Sequence, residues 1–419
     1  MLRDNGNEIS NFSNKTETWT SSGYTGRPVT YVSGRSAVVK CKIKVNCKSL
    51  DLGETRLYIK GRNSDGYNLL PQAASVSGNF ISYRGIVNTA FQNLKVDYFK
   101  EFDMTWYVST ALDAPAGDWI KVGRTYVELY VLHKKPILSQ DPNALVPTLA
   151  LHTTIHLGCK NAKGLTSPES IVDKMYKEFR NQKVYTYDGA GPMNYWGPTE
   201  APGNFCFTTI GLLNYLGSRC QAWASFFNDM VRIQGIAGSE IAVVEWNYLL
   251  SGSNVNLLEA RRDAFFGTES ANVDIVTAVD PVGTSGFYAG FLVRKWTGLI
   301  QNEFVISEWW DQNNEASVLL DNGNVVYCKE VNGIASQGID NPRSEFENHA
   351  IVKYDGHYYD PSYGTPKKSS ANLYETAALA AFTGRITYTK MVGSQEKTYI
   401  FEWIAELNDP SVLQVNITP

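Results

Sequence analysis

The stretch that most constrains the fold of this chain runs from Gly217 to Gly235. Ser218 followed by Gln221 matches the capping-box pattern, in which two side chains satisfy each other's free backbone N–H groups, so a helix is predicted to start at Arg219. Gly235 offers a left-handed C-cap. The residues between them include an apolar stripe at helical spacing: Ala222, Trp223, Phe226, Phe227, Met230, Val231 and Ile233. The pattern predicts a buried helix.

Cys220 lies in the first turn of this predicted helix. The first turn presents unpaired N–H groups and the positive end of the helix dipole, and both favour a thiolate over a thiol. A cysteine at this position is therefore a candidate nucleophile. The alternative is that Cys220 is a small buried hydrophobic residue, as most free cysteines are.

A hairpin is predicted further along the chain, around Asp355-Gly356. This dipeptide between two apolar-rich runs is a strong signal for a two-residue turn, which would place Tyr354 opposite His357. Because strand side chains alternate faces, His349 and Asp360 become diagonal neighbours on one face, where an imidazole and a carboxylate can meet. The same alternation puts His357 on the opposite face, as a half-buried or exposed residue.

These two motifs resemble those of the transglutaminase-like superfamily of thiol enzymes, which is related to papain-like peptidases. The first is Cys220 opening an aromatic-rich helix; the second is His349-Ala-Ile-Val followed by Tyr-Tyr-Asp360-Pro-Ser-Tyr-Gly. The resemblance implies that Cys220 is the nucleophile, His349 the general base and Asp360 the carboxylate that orients the base. It also implies that no metal or organic cofactor is needed.

An oxyanion hole for such an enzyme needs the N–H of Cys220 and a second donor. The resemblance implies an upstream Trp or a Gln shortly before the cysteine, for which Trp196 and Asn214 are the candidates here; the donor stays unassigned. Trp196 belongs to a loop rich in Gly and Pro, Gly189 to Gly203, which is either a wall of the cleft or a surface connection.

Composition excludes several classes of function. A net charge of -4 without a basic run argues against a nucleic-acid partner. No apolar stretch is long enough to cross a bilayer, and the N-terminus has no signal-peptide core, so a soluble protein is predicted. It would be secreted or periplasmic if a leader has been removed, and cytoplasmic otherwise.

The patterns around the remaining cysteines and histidines favour structural roles over catalytic or metal-binding ones. Six cysteines in 419 residues are too few for a disulfide scaffold. Cys41, Cys47 and Cys328 alternate with other residues in strand-like runs, which favours core positions. No Cys/His spacing matches a zinc site. His152 and His156 alternate with apolar residues and are predicted to lie on a strand surface.

The predicted fold class is α+β with two domains. A flexible lead-in (1–35) precedes an immunoglobulin-like antiparallel β-sandwich (36–135) and a Pro-rich linker (136–147). The papain- or transglutaminase-like domain (148–419) is expected to pack the Cys220 helix on an antiparallel sheet. The clearest strands of the sandwich are Ala37 to Val45, Thr55 to Lys60, Phe102 to Val108 and Thr125 to Leu132. Its aromatic residues are either core or a groove for glycan or protein.

Within the catalytic domain, Ser167-Pro168-Glu169 predicts a helix start, and this helix is expected to pack near that of Cys220. Cys220 and His349 are 129 residues apart, far more than in compact members of the resembled family. The excess, about residues 246–343, is either an insertion or a set of additional strands. It contains a polar loop around Trp309 to Asp311 and four strand-like runs: Asp274 to Val279, Phe287 to Val293, Val318 to Leu320 and Asn324 to Cys328. Ala371 to Phe382 is predicted to be helical. The hairpin that follows, Arg385 to Val392 and Thr398 to Leu407, is expected to extend the sheet of His349.

The leading functional hypothesis is a Cys-His-Asp amide hydrolase, a peptidase or deamidase that acts on protein or peptide through a thioester. A cross-linking transglutaminase shares the same intermediate, and hydrolysis is favoured because nothing identifies an amine tunnel. A papain-like peptidase proper would carry Asn as third residue, so Asp360 favours the transglutaminase-like group. The rival from another class is a catalytically silent two-domain binding protein.

Overall fold

A computed structural model describes residues 2–4, 7–8, 29–44, 56–77, 80–137, 150–187, 189, 191–197, 201–246, 286–293, 317–319, 325–327, 335–340, 345–346, 348–392, 394–406 and 415–418. The chain divides into two compact units, Met1–Met175 with Asp229–Ala237, and Tyr176–Asn228 with Gly238–Pro419. The described helices are α1 His152–Asn161, α2 Pro168–Phe179, α3 Thr209–Tyr215, α4 Cys220–Ile233 and α5 Ala371–Ala378. With the strands below they confirm an α+β protein.

The first unit contains a nine-stranded sheet. Its strands are β1 Leu2–Asp4, β2 Asn7–Glu8, β3 Val29–Val32, β4 Val38–Lys44, β5 Leu57–Arg62, β6 Leu69–Ser77, β7 Phe80–Ile86, β8 Asp97–Ser109 and β9 Ile120–Leu132. The order is β2-β1-β3-β9-β8-β5-β6-β7-β4. All neighbours are antiparallel except the pairs β1–β3 and β3–β9. The four predicted strands are therefore confirmed as β4, β5, β8 and β9, and β6 and β7 are additional.

One hydrophobic core contains side chains from six neighbouring strands of this sheet, β3, β9, β8, β5, β6 and β7. Phe102, Met104 and Trp106 on β8 are 3–4% exposed, and the rings of Trp106 and Tyr83 meet edge to face at 6.0 Å. Alternate residues of β8 thus point into the core, as the period of two requires. The core interpretation is confirmed for these aromatic residues.

The sheet begins earlier in the chain than its predicted boundary at residue 36. Val29–Val32 pairs in parallel with β9, and Tyr31 is 6% exposed within the core. Leu2–Asp4 also forms a short strand, which pairs with β3. The β-branched and aromatic side chains of β3 fit a pleated, half-buried surface. Residues 29–32 therefore belong to the sheet and not to the predicted lead-in.

The second unit contains smaller sheets. Their strands are β10 Asn194–Tyr195, β11 Gly217–Ser218, β12 Glu240–Trp246, β13 Gly286–Val293, β14 Ser317–Leu319, β15 Val325–Tyr327, β16 Glu345–Phe346, β17 Asn348–Tyr354, β18 His357–Tyr359, β19 Leu379–Val392, β20 Gln395–Glu406 and β21 Val415–Thr418. Two sheets have four strands each, in the orders β18-β17-β12-β21 and β16-β13-β19-β20, and β10–β11 and β14–β15 form pairs.

The C-terminal part of this unit corrects two predictions. The helix α5 ends at Ala378, and the next residues belong to β19 because Phe382 pairs with Phe291 of β13. The hairpin β19–β20 therefore extends the sheet of β13, and not the sheet that carries His349. An apolar run such as Leu379-Ala-Ala-Phe suits helix and strand alike, so its tertiary partner decides.

Only part of the predicted insertion lies among the described residues. β13, β14 and β15 confirm the strands expected at Phe287, Val318 and Asn324, and β13 is an additional strand of a sheet shared with β19. The strand predicted at Asp274 to Val279 and the polar loop at Trp309 to Asp311 lie outside the described residues.

Within the second unit the last turn of α2 packs against the first part of α4, as expected. The ring of Phe179 lies 5.1 Å from that of Phe227 and 6.2 Å from that of Trp223, between centroids. Tyr359 of β18 completes the contact, at 5.0 Å from Tyr176 and 5.6 Å from Phe227. These aromatic contacts hold α4 and the hairpin against one another.

Candidate active site

Helix α4 begins at Cys220, so Arg219 takes the N-cap position and its carbonyl accepts the first helical bond, from the N–H of Trp223 at 3.4 Å. The predicted capping box is wrong in its first residue. Ser218 pairs in β11, is fully buried, and donates its hydroxyl to the carbonyl of Cys206 at 2.7 Å. The strand pairing turns this side chain away from the helix. Cys220 is then the first helical residue, next to the unpaired N–H groups and the positive end of the helix dipole.

The other end of this helix and the thiol itself follow the prediction. Gly235 has a φ of +71° and its N–H donates to the carbonyl of Arg232 at 2.9 Å, which is the left-handed C-cap. Cys220 is 7% exposed. The sequence pattern alone therefore located a largely buried thiol in the first turn of α4.

The loop Gly189 to Gly203 lies beside the start of α4 through its Tyr195-Trp196 pair. Tyr195 pairs with Ser218 in parallel, and the N–H of Trp196 donates to the carbonyl of Ser218 at 3.0 Å. The guanidinium of Arg219 stacks 5.3 Å from the centroid of the Trp196 ring. This part of the loop is therefore packed against the residues that precede Cys220 and is not a plain surface connection. Asn214 is exposed on α3, and the second oxyanion donor stays unassigned.

The hairpin of β17 and β18 has the predicted register. Tyr354 pairs with His357 and Val352 with Tyr359. Asp360 follows the last pair, and its Oδ2 lies 2.9 Å from Nε2 of His349. The imidazole and the carboxylate therefore meet as their positions predicted, and they are 1% and 0% exposed. His357 is half-buried and faces elsewhere, as expected, with Nδ1 2.8 Å from the carbonyl of Asp355.

The Asp360 carboxylate accepts four hydrogen bonds. Oδ2 accepts from His349 and from the hydroxyl of Tyr374 at 2.8 Å. Oδ1 accepts from the N–H groups of Ser362 at 3.1 Å and Tyr363 at 3.3 Å. A fully buried carboxylate is tolerated only when it is bonded in this way. These four bonds fix the position of the Asp360 side chain.

His349 interacts with Asp360 and Cys220 together. Burial by itself lowers the pKa of His349, but the charge and hydrogen bond of Asp360 and the interaction with the Cys220 thiol raise it to about 10. Nε2 of the ring is bound to Asp360, and the Cys220 thiol acts on the same imidazole. The three predicted site residues are thus brought together, in the order thiol, imidazole, carboxylate.

Tyrosines that sequence reasoning missed surround this group. The rings of Tyr195 and Tyr363 lie 6.4 and 5.7 Å from the imidazole of His349. The hydroxyl of Tyr176 accepts from the N–H of Asp360 at 3.0 Å and lies 2.7 Å from the carbonyl of Thr365. Burial, and then the Asp360 charge, raise the pKa of Tyr176 well above its ordinary value. They come from separate segments, so no single local pattern groups them around His349.

A second missed feature is the turn at Gln337-Gly338, which ties the two halves of the site together. The carbonyl of Gln337 accepts from the N–H of Tyr195 at 2.8 Å, and its side chain donates to the carbonyl of Pro361 at 2.9 Å. Gly338 has a φ of +66°, and a Cβ there would lie 2.6 Å from the carbonyl oxygen of Met193. The Gly in a polar context was the one sequence signal for this turn.

His152 and His156 lie on helix α1, so their predicted strand position is wrong. The spacing of four residues puts both rings on one helical face. There the hydroxyl of Tyr130 lies 2.9 Å from Nε2 of His152 and 2.9 Å from Nδ1 of His156. The carboxylate of Glu128 is 4.0 and 3.7 Å from the same nitrogens. Glu128, Tyr130, His152 and His156 are called the Glu128 cluster below.

Of the other cysteines, some lie among the described residues and some do not. Cys159 and Cys206 are buried free thiols. Burial raises the pKa of Cys159 to about 12. Cys47 and Cys328 lie outside the described residues, and Cys41 is on β4. Cys159 is thus an unreactive reference thiol within the same chain.

Two further findings concern ligands and membranes. Among the described residues no group of three or more His, Cys, Asp and Glu side chains could hold a metal ion. In the same parts of the chain, every helix is too short or too polar to cross a bilayer.

Comparison with known proteins identifies no relative by sequence: no protein-family model matches the chain, and no curated protein matches it significantly. The likeness to transglutaminase-like enzymes accordingly rests on the residues described above.

Proposed function

We propose that this protein is a cysteine-dependent amide hydrolase, a peptidase or deamidase of protein or peptide substrates, whose residues 148–419 form a papain- or transglutaminase-like domain. One observation carries the proposal: a buried imidazole that interacts with the thiol of a helix's first residue and lies 2.9 Å from a carboxylate oxygen. That arrangement is the one that a thiol nucleophile needs.

The reaction begins with proton transfer from Cys220 to His349, which yields a thiolate and an imidazolium. The raised pKa of His349 favours this form of the pair, and the α4 N-terminus stabilises the thiolate. Attack on the amide carbonyl gives a tetrahedral oxyanion, toward which the N–H of Cys220 is a donor by its position at the helix start.

Collapse of the tetrahedral species breaks the C–N bond. The imidazolium of His349 gives its proton to the leaving amine, and the acyl group remains on sulfur as a thioester. Neutral His349 then removes a proton from an attacking water, the C–S bond breaks, and the acid and the thiol are regenerated. Asp360 keeps its place and its charge throughout, so that the ring holds its orientation in both steps.

The test is alkylation by iodoacetamide between about pH 6 and 8, with the rate at each cysteine followed by mass spectrometry. Cys220 is expected to react at least about 100-fold faster than Cys159, the buried reference thiol. His349→Ala and His349→Gln are expected to remove most of this advantage, because no imidazolium then balances the thiolate. Circular dichroism of each variant shows whether it is folded.

If Cys220 reacts no faster than Cys159 and Cys206 in the folded protein, the proposal fails and a binding protein without catalytic activity is the better description. If Cys220 is reactive, an acylated enzyme formed from an activated ester can be given water or a primary amine. Preferential loss of the acyl group to water supports a hydrolase, whereas preferential capture by the amine indicates a cross-linking transglutaminase.

A further inference from the structure

Helix α5 brings a phenol to the catalytic carboxylate. Tyr374 is 2% exposed, and its hydroxyl donates to Oδ2 of Asp360 at 2.8 Å. The same oxygen accepts from Nε2 of His349 at 2.9 Å. The other oxygen is bound by two main-chain N–H groups. One carboxylate oxygen is therefore shared between the imidazole and a neutral donor.

The second hydrogen bond at Oδ2 changes how strongly the carboxylate stabilises the protonated imidazole. A hydrogen bond to a charged oxygen withdraws part of its charge, and in a buried site this effect is not screened by water. The oxygen that faces His349 then attracts the imidazolium less than an oxygen without the second donor. The bond also fixes the rotation of the carboxylate, since it adds a second direction of attachment at Oδ2.

Tyr374 stays protonated over the range in which His349 titrates. Burial, and then the Asp360 charge and the hydrogen bond, raise the pKa of Tyr374 well above its ordinary value. The titratable groups that face the His349–Asp360 pair come from several segments: Tyr176, Tyr195, Cys220, Tyr363 and Tyr374. Among these tyrosines, the one that bonds directly to the carboxylate is Tyr374.

We propose that Tyr374 is a positioning residue that tunes the His349–Asp360 pair: by taking part of the charge of Oδ2 it lets the imidazolium release its proton at a lower pH. The inference rests on the proposed function, because release of this proton produces the neutral imidazole that hydrolyses the thioester. Without Tyr374 the imidazolium persists to higher pH, and thioester hydrolysis near neutral pH slows.

The test is an NMR titration of the His349 ring in unreacted protein, together with the pH dependence of thioester hydrolysis. In Tyr374→Phe the titration of His349 is expected to move up by about one pH unit, and the rate profile with it. Site-specific 3-fluorotyrosine at position 374, whose hydroxyl is a stronger donor of nearly the same size, is expected to move both downward. This second variant keeps the hydroxyl and so removes the concern that a lost bond destabilises the fold.

Tyr176→Phe is the matched control. Its hydroxyl bonds to the main chain of Asp360 and to the Thr365 carbonyl, and not to the carboxylate. It is expected to lower stability and to leave the titration of His349 in place. Equal shifts in Tyr176→Phe and Tyr374→Phe, or no shift in either Tyr374 variant, would overturn the inference. If His349 shifts as expected but Cys220 forms no thioester, the proposed function fails while the tuning of the pair stands.

Discussion

The two units each bury a histidine–carboxylate group, but the two groups are built differently. At the catalytic candidate, one imidazole contacts a carboxylate oxygen directly at 2.9 Å and also interacts with a thiol. In the Glu128 cluster, two imidazoles share the hydroxyl of Tyr130, and the carboxylate is 3.7 and 4.0 Å away. The same residue types therefore make a polarised pair in one unit and a shared network around a neutral hydroxyl in the other.

The difference shows that a buried histidine near a carboxylate is not by itself an active site. Whether the histidine can take part in catalysis depends on its second partner. A thiol beside the ring can give or receive a proton. A second histidine that shares a hydroxyl mainly satisfies buried polar groups. The first two of the following predictions compare matched substitutions in the two groups.

The largest expected effect is on reaction rate. Asp360→Asn keeps the shape of the side chain but removes its charge, so the imidazolium loses its partner and the ring its orientation. Acyl transfer from an activated ester is expected to fall by about 10³- to 10⁴-fold. Glu128→Gln, the same change in the other group, is expected to leave the rate unaltered. A comparable loss in both variants would mean that the two groups do not differ in function.

The next effect is on the free energy of unfolding. His349→Ala leaves the buried Asp360 charge without its cationic partner, which is expected to cost about 3–5 kcal/mol. His156→Ala removes a hydrogen bond to a hydroxyl and should cost less, about 1–2 kcal/mol. Urea denaturation followed by circular dichroism measures both. If His156→Ala proves the more costly change, the first group is not the polarised pair inferred from its geometry.

The smallest effect is a dependence of stability on pH. The pKa of His349 is about 10 in the folded protein and about 6.5 when unfolded, so the folded state holds this proton more tightly. The resulting stabilisation is complete below about pH 6.5 and is lost as pH rises through about 10.

Urea denaturation at a series of pH values, with His349→Ala as the reference, isolates this contribution. The difference in unfolding free energy between the wild type and the variant is expected to shrink steadily over that window. A difference that does not change with pH would show that His349 is not held as a cation in the folded protein.

Much of the site could be predicted because its parts are local. The apolar stripe and Gly235 located α4 to within one residue, and Asp355-Gly356 set the register that brings His349 and Asp360 to one face. Each of these patterns acts over a few residues, through helix or strand geometry. Local patterns also explain the wrong predictions. The spacing of His152 and His156 fits the period of a helix and that of a strand, and only their packing on β9 shows that the segment is helical.

The sequence by itself determined the α+β class, a helix that opens at Cys220, and the pairing of His349 with Asp360, because side-chain periodicity and turn chemistry are properties of short segments. Only the tertiary structure decided that Tyr374 shares the carboxylate of Asp360 and that Gln337 ties the Tyr195 strand to the Asp360 loop. Those contacts join segments far apart in the chain. They form because a buried polar group costs free energy unless it is paired, and the spacing of residues in the sequence carries no record of which partner it finds.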